Sequence, residues 1–222
     1  PAAERGHDVT LIEKENKLGG LLWFTEKDTD KESLLRYRNS LIARCKHRGV
    51  CIMLNTEANR EMLESMHPDA IICAVGSHPF VPPIKGIEHA QHAVEAYKNL
   101  EALADKNVVI IGAIGCESGY FFASECNANV TILEMRDEMC KDSNMSQKMA
   151  LIPRMKKAGM NLNCSVQVQE ITENSVIYKD ADGSMKTADA DIIYYCCGNR
   201  PNTDIVESLK GVCPKFIVTG DA

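Results

Sequence analysis

The sequence predicts an α/β fold made of two similar units, one inserted into the other. Three observations predict it. Residues 9–14, "VTLIEK", and residues 130–135, "VTILEM", are near copies about 120 positions apart. "AIICAVGSHP", ending at Pro79, and "DIIYYCCGNRP", ending at Pro201, repeat the echo at a similar offset. "NVVIIG" at 107–112 is a β-branched run that closes on a glycine and leads into a helical pattern, as a buried parallel strand does. In a Rossmann-like dinucleotide-binding unit the second strand ends in an acid that hydrogen-bonds a ribose hydroxyl. Glu13 and Glu134 hold that place in the two echoes, so two nucleotide cofactors are expected.

The elements follow in order. "PAAERGHD" reads as the end of a helix stopped by Gly6. A strand over 8–13 follows. The first strand and glycine-rich turn of this outer unit are expected upstream of Pro1, so the chain reads as a piece of a longer polypeptide. Leu34, Leu35, Leu41, Ile42 and Cys45 fall at helical spacing and predict a helix over 31–48. A short strand at 51–55, a helix at 59–66 and a buried strand at 70–75 come next. "PFVPPIKG" at 79–86 is Pro-rich and extended, and reads as a crossing between units. The strand at 107–112 leads to a helix at 115–126, a second strand at 129–135 and a helix near 145–158 closed by Gly159. Residues 161–187 alternate apolar and polar, with "DADG" at 180–183 as a hairpin turn. A strand at 190–197 leads back out. The expected division is an inner domain over 103–198 within an outer domain of 1–102 and 199–222.

Bulk properties exclude several classes. The 45% hydrophobic and 25% charged content is that of a globular domain. A net charge of −6 disfavours a nucleic-acid partner. No apolar run reaches the roughly 18 residues that cross a bilayer, and no signal peptide is visible, so a cytoplasmic protein without membrane contact is expected. Ten cysteines without a C-x-x-C pair argue against a zinc ribbon and for buried, reduced thiols. His89 and His92 read as surface histidines, with no further metal ligand nearby in sequence. Cys196 and Cys197 point to opposite faces of a strand and do not easily form a disulfide. Cys116 lies near a helix N-terminus, where a packing role or a reactive thiol is open.

The strongest site signal is "VVIIGAIGCES". A dinucleotide turn needs glycines because the backbone must bend tightly and approach the pyrophosphate, and the following helix N-terminus offers free N–H groups. Glu134 follows Gly112 by 22 residues, near the roughly 20 expected of a ribose acid. The fingerprint G-x-G-x-x-G is shortened here. Gly112 and Gly115 remain, with only Ala113 and Ile114 between, as if "GAGAIG" had become "GAIG". Nucleotide binding is expected to be weakened or lost. A carboxylate at Glu134 accepts from a free 2′-hydroxyl and repels a 2′-phosphate, which favours NADH over NADPH. Arg136 either softens that preference or is a solvated loop arginine. Glu13 and Lys14, with Gly19 and Gly20 of "NKLGG", form the corresponding candidate region of the outer unit, or a plain loop turn. "VTGDA" at 218–222 adds Gly220 and Asp221, whose side chain or adjacent N–H suits a ribityl or pyrophosphate group.

These stretches together resemble one family. "AAERGHDVTLIEKENKLGG", "DAIICAVGSHPFVPPIKG", "NVVIIGAIGCESG", "NVTILE", "CCGNRPNTD" and "VTGDA" run in the order found in the C-terminal half of bacterial NADH:flavin oxidoreductases, the multidomain old-yellow-enzyme relatives. The resemblance implies an NAD(H)-binding domain inserted into an incomplete FAD-binding domain, of the two-dinucleotide-binding-domain flavoprotein type. It implies an N-terminal TIM barrel with FMN and a 4Fe–4S cluster as partner, acting on an enone-type substrate. It places Glu13, Gly19, Gly20, Gly220 and Asp221 along FAD. It places Gly112, Gly115, Glu117 and Glu134 along NADH, with Gly76 and Gly198 at the crossings. Ala74 belongs to "AVG", where the family usually has "ATG", so Val75 lacks a hydroxyl near the flavin. FAD is expected to bind this chain poorly. The alternative is a nucleotide-binding or structural module without turnover.

Overall fold

The computed structural model describes residues 1–222. The chain divides into two units, Pro1–His78 with Pro201–Ala222, and Pro79–Arg200.

The inner unit is built on a five-stranded parallel sheet. Its strands are β5 (Gln91–His92), β6 (Asn107–Ile111), β7 (Asn129–Leu133), β8 (Asn161–Asn163) and β12 (Ile192–Tyr195). They lie in the order β5-β12-β6-β7-β8. The run Val108–Ile111 is buried on both faces, as a central parallel strand must be. Alternate residues serve the two faces. Val109, Ile111, Leu133 and Ile193 pack with Ile171 and Val176. Those two belong to an antiparallel sheet of β9 (Gln167–Ile171), β10 (Ser175–Lys179) and β11 (Met185–Asp189). The expected hairpin turn at 180–183 joins β10 to β11.

The opposite face carries α3 (Cys116–Glu125), while α4 (Met145–Lys157) packs against α3. Gly119 of α3 permits close approach. A Cβ there would lie 3.1 Å from Ile110, Ile132 and Met160 side chains. Phe122, fully buried, meets Tyr194 with ring centroids 6.0 Å apart. Burying one such ring contributes about 2–3 kcal/mol.

The inner unit begins earlier than the expected residue 103. The segment 79–102 belongs with it because β5 pairs with β12 and the buried Tyr97 packs on Phe121 and Phe122 at 5.7 and 5.5 Å. His92, read as a surface histidine, is half-buried and meets the Tyr195 ring edge-on. Burial lowers its pKa.

The outer unit contains two parallel strand pairs. β1 (Thr10–Ile12) pairs with β2 (Cys51–Met53), and β3 (Ala70–Cys73) pairs with β14 (Lys215–Val218). Leu63 of α2 (Arg60–Ser65) and Val206 and Leu209 of α5 (Thr203–Leu209) close over Cys73, Ile12 and Ile71. The long helix is α1 (Glu32–His47). Two three-residue strands, β4 (Ser77–Pro79) and β13 (Asn199–Pro201), lie where the chain passes between units. No helix is long and apolar enough to cross a membrane.

Candidate functional site

In the inner unit the carboxyl ends of β12, β6 and β7 lie side by side. Chain order reverses there. From β6 the sheet grows through β7 to β8, and β12 returns on the other side of β6. Open α/β sheets hold ligands at such a switch point, beyond the strands' carboxyl ends. Gly112 follows β6, Glu134 follows β7, and Gly198 lies just past β12.

The shortened turn is tightly packed. Gly112 has φ 99°, and a Cβ there would sit 2.4 Å from the Cys196 carbonyl oxygen. At Gly115 a Cβ would sit 2.6 Å from Ile110 Cγ2. These two glycines therefore supply the bend and the close helix–strand packing. Between them Ala113–Gly115 makes one 3-10 turn, and α3 starts directly at Cys116. Ile114 stands at its tip, 63% exposed. A Cβ at Gly198 would lie 3.9 Å from Ile114 Cδ1.

Glu134 is only 7% exposed. Its Oε2 accepts the Ala113 N–H at 2.6 Å, and its Oε1 accepts the Arg136 N–H at 2.8 Å. The carboxylate thus ties the turn after β6 to the loop after β7. The structure brings together Gly112, Ala113, Ile114, Gly115, Glu134 and Gly198. The side chains of two further expected residues are engaged by neighbours. Arg136 forms an ion pair with Asp142 within its own loop at 2.5 Å, and Glu117 accepts from the side-chain amide of Gln147 on α4. Two thiols border the turn. Burial pushes Cys196 up to about 12 and also raises Cys197, whose Sγ donates to the Ile111 carbonyl at 3.4 Å. Both stay neutral and serve packing.

The outer unit's candidates are more open. The Glu13 N–H donates to the Met53 carbonyl at 2.8 Å, and its Oε1 accepts the Glu15 N–H at 3.0 Å. Lys14, Ala74 and Asp221 are exposed. Gly20, Gly76 and Gly220 all have positive φ, and a Cβ at any of them would meet nothing within 4 Å. Gly19 differs, since a Cβ there would lie 2.6 Å from Arg38 Cδ. Val75 packs into the apolar cluster around Cys73 and Leu209.

Two residues escaped the sequence reading. Arg38 is buried and ion-paired with Glu26 at 2.7 Å, fixing the 20–26 segment. Nothing distinguishes it from the other basic residues of α1 in sequence. Asn202 donates its N–H to the Gly76 carbonyl at 3.0 Å and its Nδ2 to the Val75 carbonyl at 2.9 Å. Its position before α5 suggests a helix cap, yet its side chain caps nothing and holds the Ala74–Gly76 loop instead.

With this geometry in place, comparison with known proteins identifies the class. The family described as pyridine nucleotide-disulphide oxidoreductase matches residues 1–219, and the chain belongs to it. Bilirubin reductase of Mediterraneibacter gnavus is 32% identical over 222 residues, covering 97% of this chain and 34% of the relative. NADH oxidase of Thermoanaerobacter brockii is 29% identical over 231 residues, covering all of this chain and 35% of the relative. The solved 2-naphthoyl-CoA reductase bound to 2-naphthoyl-CoA superposes with a TM-score of 0.88 at 28% identity, over 99% of this chain and 34% of that one. The resemblance to flavin-dependent oxidoreductases read from the motifs stands. The chain spans about a third of the length of these relatives.

Proposed function

We propose that this chain is the nucleotide-handling part of an NADH-dependent flavin oxidoreductase. Its inner unit takes NADH and its outer unit takes FAD. The observation that carries the reading is the convergence of Gly112, Glu134 and Gly198 at the switch point of the inner sheet.

The residues present fit these groups. A carboxylate offers about four lone-pair sites, and Glu134 uses one on each oxygen for backbone N–H groups. About two remain for ribose hydroxyls. Held rigidly at both oxygens, this carboxylate does not swing aside for a 2′-phosphate, which favours NADH. In the outer unit the open backbone beside Gly20, Gly76 and Gly220 leaves room for FAD, with Glu13 and Asp221 as polar contacts and Asn202 holding the Ala74–Gly76 loop. When bound, FAD supplies the acceptor for the hydride that NADH gives up, and the hard chemistry is the cofactor's. The chain contributes orientation and exclusion of water. No side chain is assigned as a general acid or base.

In the whole protein we infer a further part that carries FMN and a 4Fe–4S cluster and reduces an enone-type substrate. The names of the relatives, bilirubin reductase among them, support a reductase. A second reading is a nucleotide-binding or structural module without turnover. The Ala113 N–H already engaged by Glu134 favours it. Anaerobic mixing of the chain with FAD and NADH separates the two. Loss of oxidised-flavin absorbance faster than with free FAD supports the oxidoreductase. No acceleration despite nucleotide binding supports the module.

A further inference from the structure

The loop after β7 carries its charges in closed pairs. Arg136 forms an ion pair with Asp142, Lys141 pairs with Asp137 at 2.7 Å, and Glu138 pairs with Lys148 of α4 at 3.0 Å. Each acid of the loop answers one cation. The backbone beneath Arg136 is fixed. Its N–H donates to Glu134 Oε1 at 2.8 Å, and its carbonyl accepts the Ser165 N–H at 2.7 Å. Glu134 is pinned in turn. Its N–H donates to the Asn163 carbonyl at 2.8 Å, and its carbonyl accepts the Val166 N–H at 3.0 Å. Only the side chain of Arg136 is free to change partners, and it starts from a backbone held against the carboxylate of Glu134.

Resting on the reading of this region as a nucleotide site, we propose that Asp142 is a specificity-determining residue. It engages the one arginine of the loop and so withholds it from a 2′-phosphate. An arginine near the ribose acid can accommodate that phosphate, because its planar fork donates two parallel N–H bonds to phosphate oxygens. Here the guanidinium is turned to a carboxylate instead. Two acids then act against NADPH in different ways. Glu134 repels the extra phosphate directly. Asp142 occupies the cation that would offset that repulsion. Discrimination is a difference of affinities, so a residue that weakens binding of the phosphorylated nucleotide alone sets the preference.

The exposure of the pair sets the size of the effect. The side chains are 49% exposed at Arg136 and 78% at Asp142. Such exposed pairs are weak, so Arg136 exchanges partners readily and Asp142 contributes a modest factor, about threefold. Asp137 supplies an internal control. It carries the same charge in the same loop but engages Lys141 rather than Arg136.

The test is a calorimetric titration of the 222-residue chain with NADH and with NADPH, the weaker nucleotide measured by displacement. The wild type is compared with D142N, D137N, R136A and the R136A/D142N double variant, each checked for folding by its melting curve. D142N should narrow the ratio of the NADPH Kd to the NADH Kd about threefold. D137N should not narrow it, and the double variant should show the ratio of R136A alone, because the gain runs through Arg136. A merely structural Asp142 would shift both nucleotides together and leave the ratio unmoved, which would overturn the proposal. Equal narrowing in D137N, or a gain that survives in the double variant, would also overturn it. NADH binding with an unmoved ratio sinks this inference alone. Absence of NADH binding by the wild type would overturn the nucleotide reading and this inference with it.

Discussion

The two echoed halves of this chain place the same residue types at the same strand ends, yet their environments differ. In the inner unit the glycines are used up internally. Gly112 and Gly115 are pressed onto Cys196 and Ile110, and Glu134 is buried with both oxygens on backbone N–H groups. In the outer unit Gly20, Gly76 and Gly220 face open space, and Glu13 is half-exposed with one oxygen on a neighbouring N–H. The lesson is that a shared motif does not fix a shared job. The inner acid stabilises its own shortened turn, with one backbone N–H on each oxygen. The outer acid and glycines carry little structural load and are free for one.

That contrast can be broken by substitution. Glu134→Ala leaves the Ala113 and Arg136 N–H groups without their partner and should cost about 2–4 kcal/mol. Glu13→Ala should stay within about 0.5 kcal/mol. The check is calorimetric melting of both variants, with amide exchange across β6 and β7 locating the loss. Equal destabilisation by the two would erase the distinction. Next in size, Gly112→Ala drives a methyl to 2.4 Å from the Cys196 carbonyl at a left-handed position, and should cost about 2–3 kcal/mol. Gly220→Ala meets no atom and should cost about 1 kcal/mol from backbone strain alone. Urea midpoints compare them.

A smaller effect sharpens the outer side. Asn202→Ala removes the bond to the Val75 carbonyl and the one to His78 at 2.8 Å. Stability should fall by about 1 kcal/mol, while FAD affinity falls several-fold as the Ala74–Gly76 loop loosens. Flavin fluorescence quenching measures the second number, and an unchanged affinity would detach Asn202 from the flavin region.

The smallest effect is acidic. Glu26 is held below its ordinary pKa of 4.5, first by the hydrogen bond from Arg38 and then by that from Lys17. A carboxylate with a depressed folded pKa contributes its full stability above the unfolded value. It loses that contribution as pH falls through the folded value. Trp23, the chain's one tryptophan, lies three residues from Glu26. Its fluorescence should show the outer unit weakening below pH 4.5, and Glu26→Gln should flatten that slope.

Much of this was legible in the sequence, for physical reasons. The β-branched runs at 107–112 and 129–135 became β6 and β7 because strands buried on both faces need continuous apolar side chains. The helices expected at 31–48, 115–126 and 145–158 appear as Glu32–His47, Cys116–Glu125 and Met145–Lys157. The hairpin at 180–183 followed from its turn residues. What remained hidden depended on pairings across sequence. No local pattern says that Arg38 will bury itself against Glu26. None says that the Cys116 thiol will reach Met139, or that Glu134 will bond the turn it faces. The placement of 79–102 with the inner unit was hidden likewise, because β5 is only two residues long and is defined by its partner β12.

The central claim is that the inner switch point takes NADH despite its shortened turn, with Glu134 serving turn and ribose together. A calorimetric titration of the purified chain with NADH tests it most directly. The account predicts saturable, micromolar binding, with NADPH weaker by about tenfold or more. Absence of any saturable heat would contradict it. The Glu134 bond to Ala113 would then have closed the site and left a folded, nucleotide-free unit.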